Sequence, residues 1–255
     1  LASCKELDWF RECISSRFEV KFRGRLGPGR DEEHSIRILN RVLEWTDEGL
    51  KYEADQRHAE IIIQQLGLRS DSKAVSSPSV ASSGDESELS PNQSTMYRAM
   101  VARANYLAQD RGDIAYAVKE LCRHMAKPRN CDWCALKRLG RYLLDKTRSI
   151  VHFPYQDNFN SVNVWTDTDH AGCTTTRKST SGGVVMLGQH LIKAWSSTQS
   201  VIALSSGEAE YYGLVKGASI GIGVQSMLSD FAITVSVALH TDSSAAKGIG
   251  SRRGL

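Results

Sequence analysis

From Val162 onward the polarity pattern switches to a period of two, and that switch leaves the C-terminal part of the chain few folds to choose from. Val162–Thr166 alternates apolar and polar residues and ends at Asp167. Gly183–Leu187 and Leu191–Ser196 repeat the pattern on either side of Gly188-Gln189-His190. Ser205-Ser206-Gly207-Glu208 has the form of a capping box and opens a long helix toward Phe231. Val235–His240 reads as a fourth strand ending at Thr241-Asp242, and Ser243–Ile249 begins a short helix. Three strands, a helix, a strand and a helix predict an α/β fold, a mixed sheet with helices packed on it.

The first 155 residues are patterned differently, as an α+β part. Leu7, Phe10, Cys13 and Ile14 have helical spacing, and Phe18-Glu19-Val20-Lys21-Phe22 alternates like a strand. Ile36–Leu43 and Leu50–Tyr52, joined by Thr46-Asp47-Glu48-Gly49, predict a β-hairpin. Asp55 is placed to cap a helix from about Gln56 to Leu66, ended by Gly67. Ten of the 25 residues from Ser70 to Ser94 are Ser, a composition that favours a flexible linker between two folded parts. Helices follow over Met96–Met125, interrupted near Asp110–Asp113, and from about Asp132 to Lys146. The expected division is therefore 1–69, a linker at 70–94, a helical region at 95–155 and the α/β part at 156–255.

Composition enters as a filter. With 41% hydrophobic and 24% charged residues the chain has the material for a sizeable core. Net charge is +3, and because residues 156–255 carry seven basic and seven acidic side chains, the excess (25 against 22) lies upstream. That balance permits nucleic-acid binding without demanding it. No apolar run reaches the ~18 residues of a membrane span, so no membrane partner is expected. Lys5, Glu6 and Asp8 stand where a signal peptide needs an apolar core, and the first Met is Met96, so we expect a piece of a longer, intracellular protein, cytoplasmic or nuclear, with reduced thiols. Cys131 and Cys134 form a CxxC near Cys122 and His124, but Cys134 falls in an apolar helical pattern, which favours a buried thiol over zinc.

Three acids stand where chemistry gathers in a sheet of this kind. Asp167 ends the first strand, Glu208 lies in the first turn of the long helix and Asp242 ends the fourth strand. Strand ends and helix starts on one sheet edge face a common crevice. Three carboxylates gathered there repel one another unless a divalent cation neutralises them, and hard oxygen ligands favour Mg²⁺ or Mn²⁺. Metal-assisted phosphodiester hydrolysis is the matching reaction. Taken singly, each acid also has a plain use: Asp in a turn, Glu208 as a capping partner.

The surrounding residues carry a resemblance. Trp165-Thr166-Asp167-Thr168-Asp169-His170-Ala171-Gly172, Ser179-Thr180-Ser181-Gly182-Gly183, Trp195-Ser196-Ser197, Ala203-Leu204-Ser205-Ser206-Gly207-Glu208-Ala209-Glu210-Tyr211 and Thr241-Asp242-Ser243-Ser244-Ala245 resemble, in order, the ribonuclease H domain of copia-type LTR retrotransposon Pol polyproteins. Tyr106-Leu107-Ala108, Asp113–Val118 and Leu136–Leu143 resemble the region joining reverse transcriptase to that domain, and residues 1–68 the late part of the reverse transcriptase. The resemblance implies an RNase H-like domain in which Asp167, Glu208 and Asp242 hold two Mg²⁺ or Mn²⁺ ions and hydrolyse the RNA of an RNA–DNA hybrid. Asp169 and Glu210 fall at second places in their motifs and are expected beside the ligands or facing solvent. Arg177, Lys178 and Ser206 are the expected nucleic-acid contacts, and the rest of the Pol polyprotein is the expected protein partner.

Two departures accompany it. The paired polymerase Asp residues of the family would precede Leu1, so DNA synthesis is not expected. The family's last strand, last helix and fourth acid would follow Leu255, so the expected domain is truncated and its cleavage weak. An inactive remnant that keeps the fold is one alternative. An integrase or transposase core is another, although those place Glu last, whereas here the order is Asp, Glu, Asp at 167, 208 and 242.

Overall fold

A computed structural model describes residues 3–79, 84–157 and 159–252. It contains two four-stranded sheets and a helical core, an α/β architecture. The first sheet comprises β1 (Ser35–Ile38), β2 (Arg41–Thr46), β3 (Gly49–Glu53) and β4 (Ile150–Pro154), antiparallel in that order. The expected strand Ile36–Leu43 is in fact two. Leu39 and Asn40 both take positive φ, 50° and 64°, and reverse the chain in a two-residue turn. Residues 18–22 form no strand: their alternation meets no partner, and Phe18, Val20 and Phe22 stay exposed. They follow α1 (Cys4–Ser15), which is closed by a capping box between Ser3 and Glu6.

The helical core packs α2 (Arg57–Gln65), α3 (Pro91–Leu107), α4 (Ala115–Arg123) and α5 (Asn130–Asp145) around Ile62, Tyr97, Met100, Leu107, Leu136, Leu139 and Leu143. Leu136, Leu139 and Leu143 recur at helical spacing and are fully buried, as the periodicity requires. The Tyr97 hydroxyl, also buried, donates to the Leu121 carbonyl at 2.8 Å. Arg111 is buried beside a 3-10 turn (Gly112–Ile114) and donates to both Asp113 oxygens, at 2.9 and 2.7 Å, and to the Lys146 carbonyl at 2.8 Å. Burial opposes charge on Asp113, but the Arg111 guanidinium and the Tyr142 hydroxyl overcome it and hold the carboxyl below its usual range.

The Ser-rich segment does not separate two cores. Ile62 of α2 shares one core with α3, α4 and α5, and β4 completes the sheet begun by β1–β3. Nor are its described residues free of the fold. Val75 packs on the helical core, and Arg141 and Arg138 of α5 donate to the Lys73 and Ser77 carbonyls at 2.6 and 3.1 Å. The Asp85 and Ser87 carbonyls accept from the otherwise unpaired N–H groups of Cys131 and Asn130 at the start of α5, at 2.9 and 3.0 Å. Ser90 caps α3 and Pro91 begins it. Residues 80–83, also assigned to the linker, lie outside the described residues.

The second sheet has the order β7-β6-β5-β8, built from β5 (Ser161–Thr168), β6 (Thr180–Leu187), β7 (His190–Thr198) and β8 (Ser236–His240). β5 pairs antiparallel with β6 and parallel with β8. α6 (Ser206–Asp230) crosses one face, and α7 (Ser244–Gly250) packs on α6. Element order and the mixed character of the sheet match the sequence expectation. α6 approaches β5 through Gly213, Gly217 and Gly221, four residues apart. A Cβ at Gly213 would lie 2.4 Å from Thr168 Oγ1, and one at Gly217 2.5 Å from Thr166 Cγ2. Among the described residues no helix is long and apolar enough to cross a membrane.

Candidate metal centre

The parallel register of β5 and β8 sets two of the acids. Trp165 lies opposite His240, and their rings stack with centroids 4.6 Å apart. Two residues further on come Asp167, still within β5, and Asp242, just past the end of β8, so both acids lie at the same edge of the sheet. The third acid comes from α6, held against β5 by its glycine stripe. Glu210 stands one helical turn before Gly213, in phase with the face that meets the sheet. One carboxylate oxygen from each of Asp167, Glu210 and Asp242 falls within 4.8 Å of the other two.

Glu210 is the least exposed member of the trio, half-buried where Asp167 and Asp242 are exposed. Its Oε1 accepts from the Thr168 N–H at 3.3 Å, while its Oε2 is fully buried and has no hydrogen-bond partner. Burial, followed by the charges of Asp167 and Asp242, raises the Glu210 carboxyl above its usual range against the Thr168 hydrogen bond. A buried acceptor without a donor costs free energy that a cation on that oxygen would remove. The donor set is all carboxylate, suited to Mg²⁺ or Mn²⁺.

Glu208 is not part of this cluster, and the geometric expectation for it is corrected. Its Oε2 accepts from the Leu204 N–H at 2.7 Å and its Oε1 from the Tyr212 hydroxyl at 3.0 Å, while the Ser205 Oγ accepts from the Glu208 N–H at 3.2 Å. Both oxygens are thus spent at the start of α6, the plain capping use of such a residue. Two residues along a helix is a rotation of about 200°, so Glu208 and Glu210 cannot share a face. Glu210, expected beside the ligands or in solvent, takes the place assigned to Glu208.

Comparison with known proteins agrees with the motifs. The chain is 37% identical over 142 residues to the retrovirus-related Pol polyprotein from transposon RE2 of Arabidopsis thaliana, which covers 56% of this chain and 10% of that protein. It is 36% identical over 139 residues to the corresponding Pol polyprotein from transposon RE1 of the same plant, 54% of this chain and 9% of that protein. Over about half its length this chain resembles copia-type retrotransposon Pol polyproteins. An uncharacterized mitochondrial protein of Arabidopsis thaliana is also 35% identical over 162 residues, 62% of this chain and 65% of that protein. The chain spans about a tenth of the length of the two Pol relatives. No family model matches it, and no solved structure matches it.

The remaining sequence candidates are each placed by the structure. Asp169 is occupied in the turn after β5, its Oδ1 accepting from the N–H groups of Thr180 at 2.7 Å and Gly172 at 3.3 Å. Arg177 and Lys178 close the β5–β6 connection. The Arg177 N–H donates to the Cys173 carbonyl at 2.7 Å with φ of 55°, and its side chain is exposed. Ser206 is the first residue of α6 and is exposed. In the CxxC it is Cys131 that is buried and Cys134 that is exposed, the reverse of the expected placement, because Cys131 sits on the face of α5 turned to the core.

Proposed function

We propose that Asp167, Glu210 and Asp242 bind Mg²⁺ or Mn²⁺, and that residues 156–255 act as an RNase H-like nuclease unit on the RNA strand of RNA–DNA hybrids. The observation that carries this reading is the convergence of three carboxylates from β5, α6 and the segment just after β8, one with a buried, partnerless oxygen. The resemblance of the motifs around these acids to the ribonuclease H domain of copia-type Pol proteins supplies the substrate class. The order Asp, Glu, Asp disfavours an integrase or transposase core.

Each residue has a stated task. The parallel β5–β8 register, in which Trp165 stacks on His240, spaces Asp167 from Asp242. The Thr168 N–H holds one Glu210 oxygen and leaves the other buried without a partner. A bound divalent ion would polarise the phosphodiester and lower the pKa of water at neutral pH. Arg177 and Lys178 in the exposed β5–β6 turn, and Ser206 at the start of α6, are placed to meet phosphates. The remainder of the Pol polyprotein is the protein partner in this reading.

The test is cleavage of a labelled RNA–DNA hybrid by the purified chain with Mg²⁺ and with Mn²⁺. RNA-strand cleavage abolished by Asp167→Asn and by Glu210→Gln, but kept in Glu208→Gln, supports the assignment. Cleavage that survives Glu210→Gln overturns it.

A further inference from the structure

Glu210 is not held in place by its own hydrogen bond alone. The Thr168 N–H reaches its Oε1 at 3.3 Å, a long contact for a charge-assisted bond, which usually closes to about 2.7–2.9 Å. Where the carboxylate sits therefore depends on where the backbone at the start of α6 sits. Gln199, the residue just past the end of β7, ties that backbone to the sheet. Its Nε2 donates to the Ala209 carbonyl at 2.8 Å and to the Ser181 Oγ of β6 at 2.9 Å. Its backbone N–H donates to the Ser179 carbonyl, just before β6, at 2.8 Å. Ser179, Ser181 and Ala209 are all buried, where a hydrogen bond is worth more than in water. The Thr168 hydroxyl donates to the same Ser181 Oγ at 3.4 Å, and it is the Thr168 N–H that meets Glu210. Gln199, Ser181, Thr168, Glu210 and Ala209 thus close a ring across β6, β5 and α6.

Ala209 decides which way the Gln199 amide faces. Turned round, Gln199 would set its oxygen against the Ala209 carbonyl, and two acceptors repel. With the NH₂ group facing Ala209 both of its protons are used, while Oε1 is buried and has no hydrogen-bond partner. A buried acceptor left unpaired is a cost. Gln199 bears that cost while holding the residue next to Glu210, a pattern expected where a side chain serves a site rather than the stability of the fold.

We propose that Gln199 is a positioning residue for the metal centre: it fixes the first two turns of α6 against β6 and so sets the distance from Glu210 to Asp167 and Asp242. In this role it touches neither metal nor substrate. The role presupposes the metal centre proposed above, so metal binding and helix position are read separately.

The experiment compares the full chain with Gln199→Met, which keeps the length of the side chain and removes both donors. Calorimetric titration of Mn²⁺, at a temperature where each protein is folded, should show an affinity about tenfold weaker in Gln199→Met, as for other groups that orient metal ligands. Ser181→Ala, a milder change in the same ring, should weaken it in the same direction and keeps the test open if Gln199→Met does not fold. Leu139→Ala, in the helical core, loses stability without touching the ring and should bind Mn²⁺ as the wild type does. Amide hydrogen exchange in EDTA is the second measurement. In Gln199→Met the amides of residues 209–213 should exchange faster, with those of residues 214–230 unchanged. Wild-type Mn²⁺ affinity in Gln199→Met, or in Ser181→Ala where Gln199→Met does not fold, overturns the proposal, because the contact is then structural only. A loss of the same size in Leu139→Ala overturns it as well. If the wild type itself takes up no Mn²⁺, the metal reading fails and Gln199 is judged on exchange alone. Faster exchange confined to the start of α6 then keeps it as the strut that places Glu210, and unchanged exchange overturns that too.

Discussion

The helical core and the second sheet are held together by different means. Around α2–α5 the contacts are large side chains that water cannot reach: Tyr97, Met100, Leu107, Leu136, Leu139 and Leu143. The sheet has the small buried set Val162, Val164, Val185, Leu187 and Val235; α6 lies on it through glycines at Gly213, Gly217 and Gly221 and through Ile220, Val224 and Leu228, while Val215, Ile222 and Met227 on α6 and Phe231 just after it remain exposed. The first region gains its stability from volume; the second adds to a smaller apolar core the close backbone approach of α6 to β5 at its glycines. The second arrangement fixes the position of Glu210 relative to Asp167, which bulky side chains would hold further apart.

That contrast can be broken first in the helical core. Leu139→Ala should cost about 2–5 kcal/mol, the range for a fully buried leucine that leaves a cavity. Urea unfolding measures it, and Mn²⁺ affinity under native conditions should not change. In the sheet, Gly217→Ala forces a methyl against Thr166 Cγ2 at 2.5 Å and Val164 Cγ1 at 3.2 Å. Overpacking of this kind costs about 1–3 kcal/mol, partly offset by about 1 kcal/mol of helix propensity. Here Mn²⁺ affinity should fall along with stability, because the helix carrying Glu210 moves off β5.

Much of this division could be read in advance from the sequence. Period-two alternation located the four strands of the second sheet, and Ser205 and Ser243 marked two helix starts, because strand faces and caps are local properties. The Leu39–Asn40 reversal was hidden by an apolar residue that reads as strand, with Asn40 the one cue. The joining of residues 1–69 to α3–α5 was hidden because it depends on which apolar faces meet. The choice between Glu208 and Glu210 did have a signal. Gly213, Gly217 and Gly221 share the phase of Glu210, three, seven and eleven residues on, whereas Glu208 is in phase with Tyr212.

Acid should act on the two regions with opposite sign. Burial, helped by Arg57, Arg103 and Arg41 and opposed by Asp55, lowers the His58 imidazole below its usual range. The unfolded chain therefore takes up a proton that the folded chain refuses, and stability is lost as pH falls from the ordinary histidine range. Asp113, lowered by Arg111, adds a further loss as pH falls through its folded value. Glu210 is raised, so the metal-free fold binds its proton more readily than the unfolded chain, and stability is lost as pH rises from the ordinary Glu range through the folded value. Urea midpoints against pH in EDTA should show His58→Gln flattening the acid side of the profile and Glu210→Gln flattening the fall toward neutral pH. Identical profiles for the two variants would erase the distinction between the regions. The smallest change is expected at the start of α6, where Glu208→Gln should cost about 0.3–1 kcal/mol, as an acid in the first turn of a helix does, read as a small shift of the same midpoint.

The most direct test is a calorimetric titration of Mn²⁺ into the wild type, Glu210→Gln and Glu208→Gln at neutral pH. The geometry predicts binding by the wild type, an affinity within about twofold of it for Glu208→Gln, and a loss of roughly tenfold or more for Glu210→Gln, as expected when a group at a metal site is removed. Loss of affinity in Glu208→Gln with Glu210→Gln unaffected would contradict the assignment of Asp167, Glu210 and Asp242 as one metal centre.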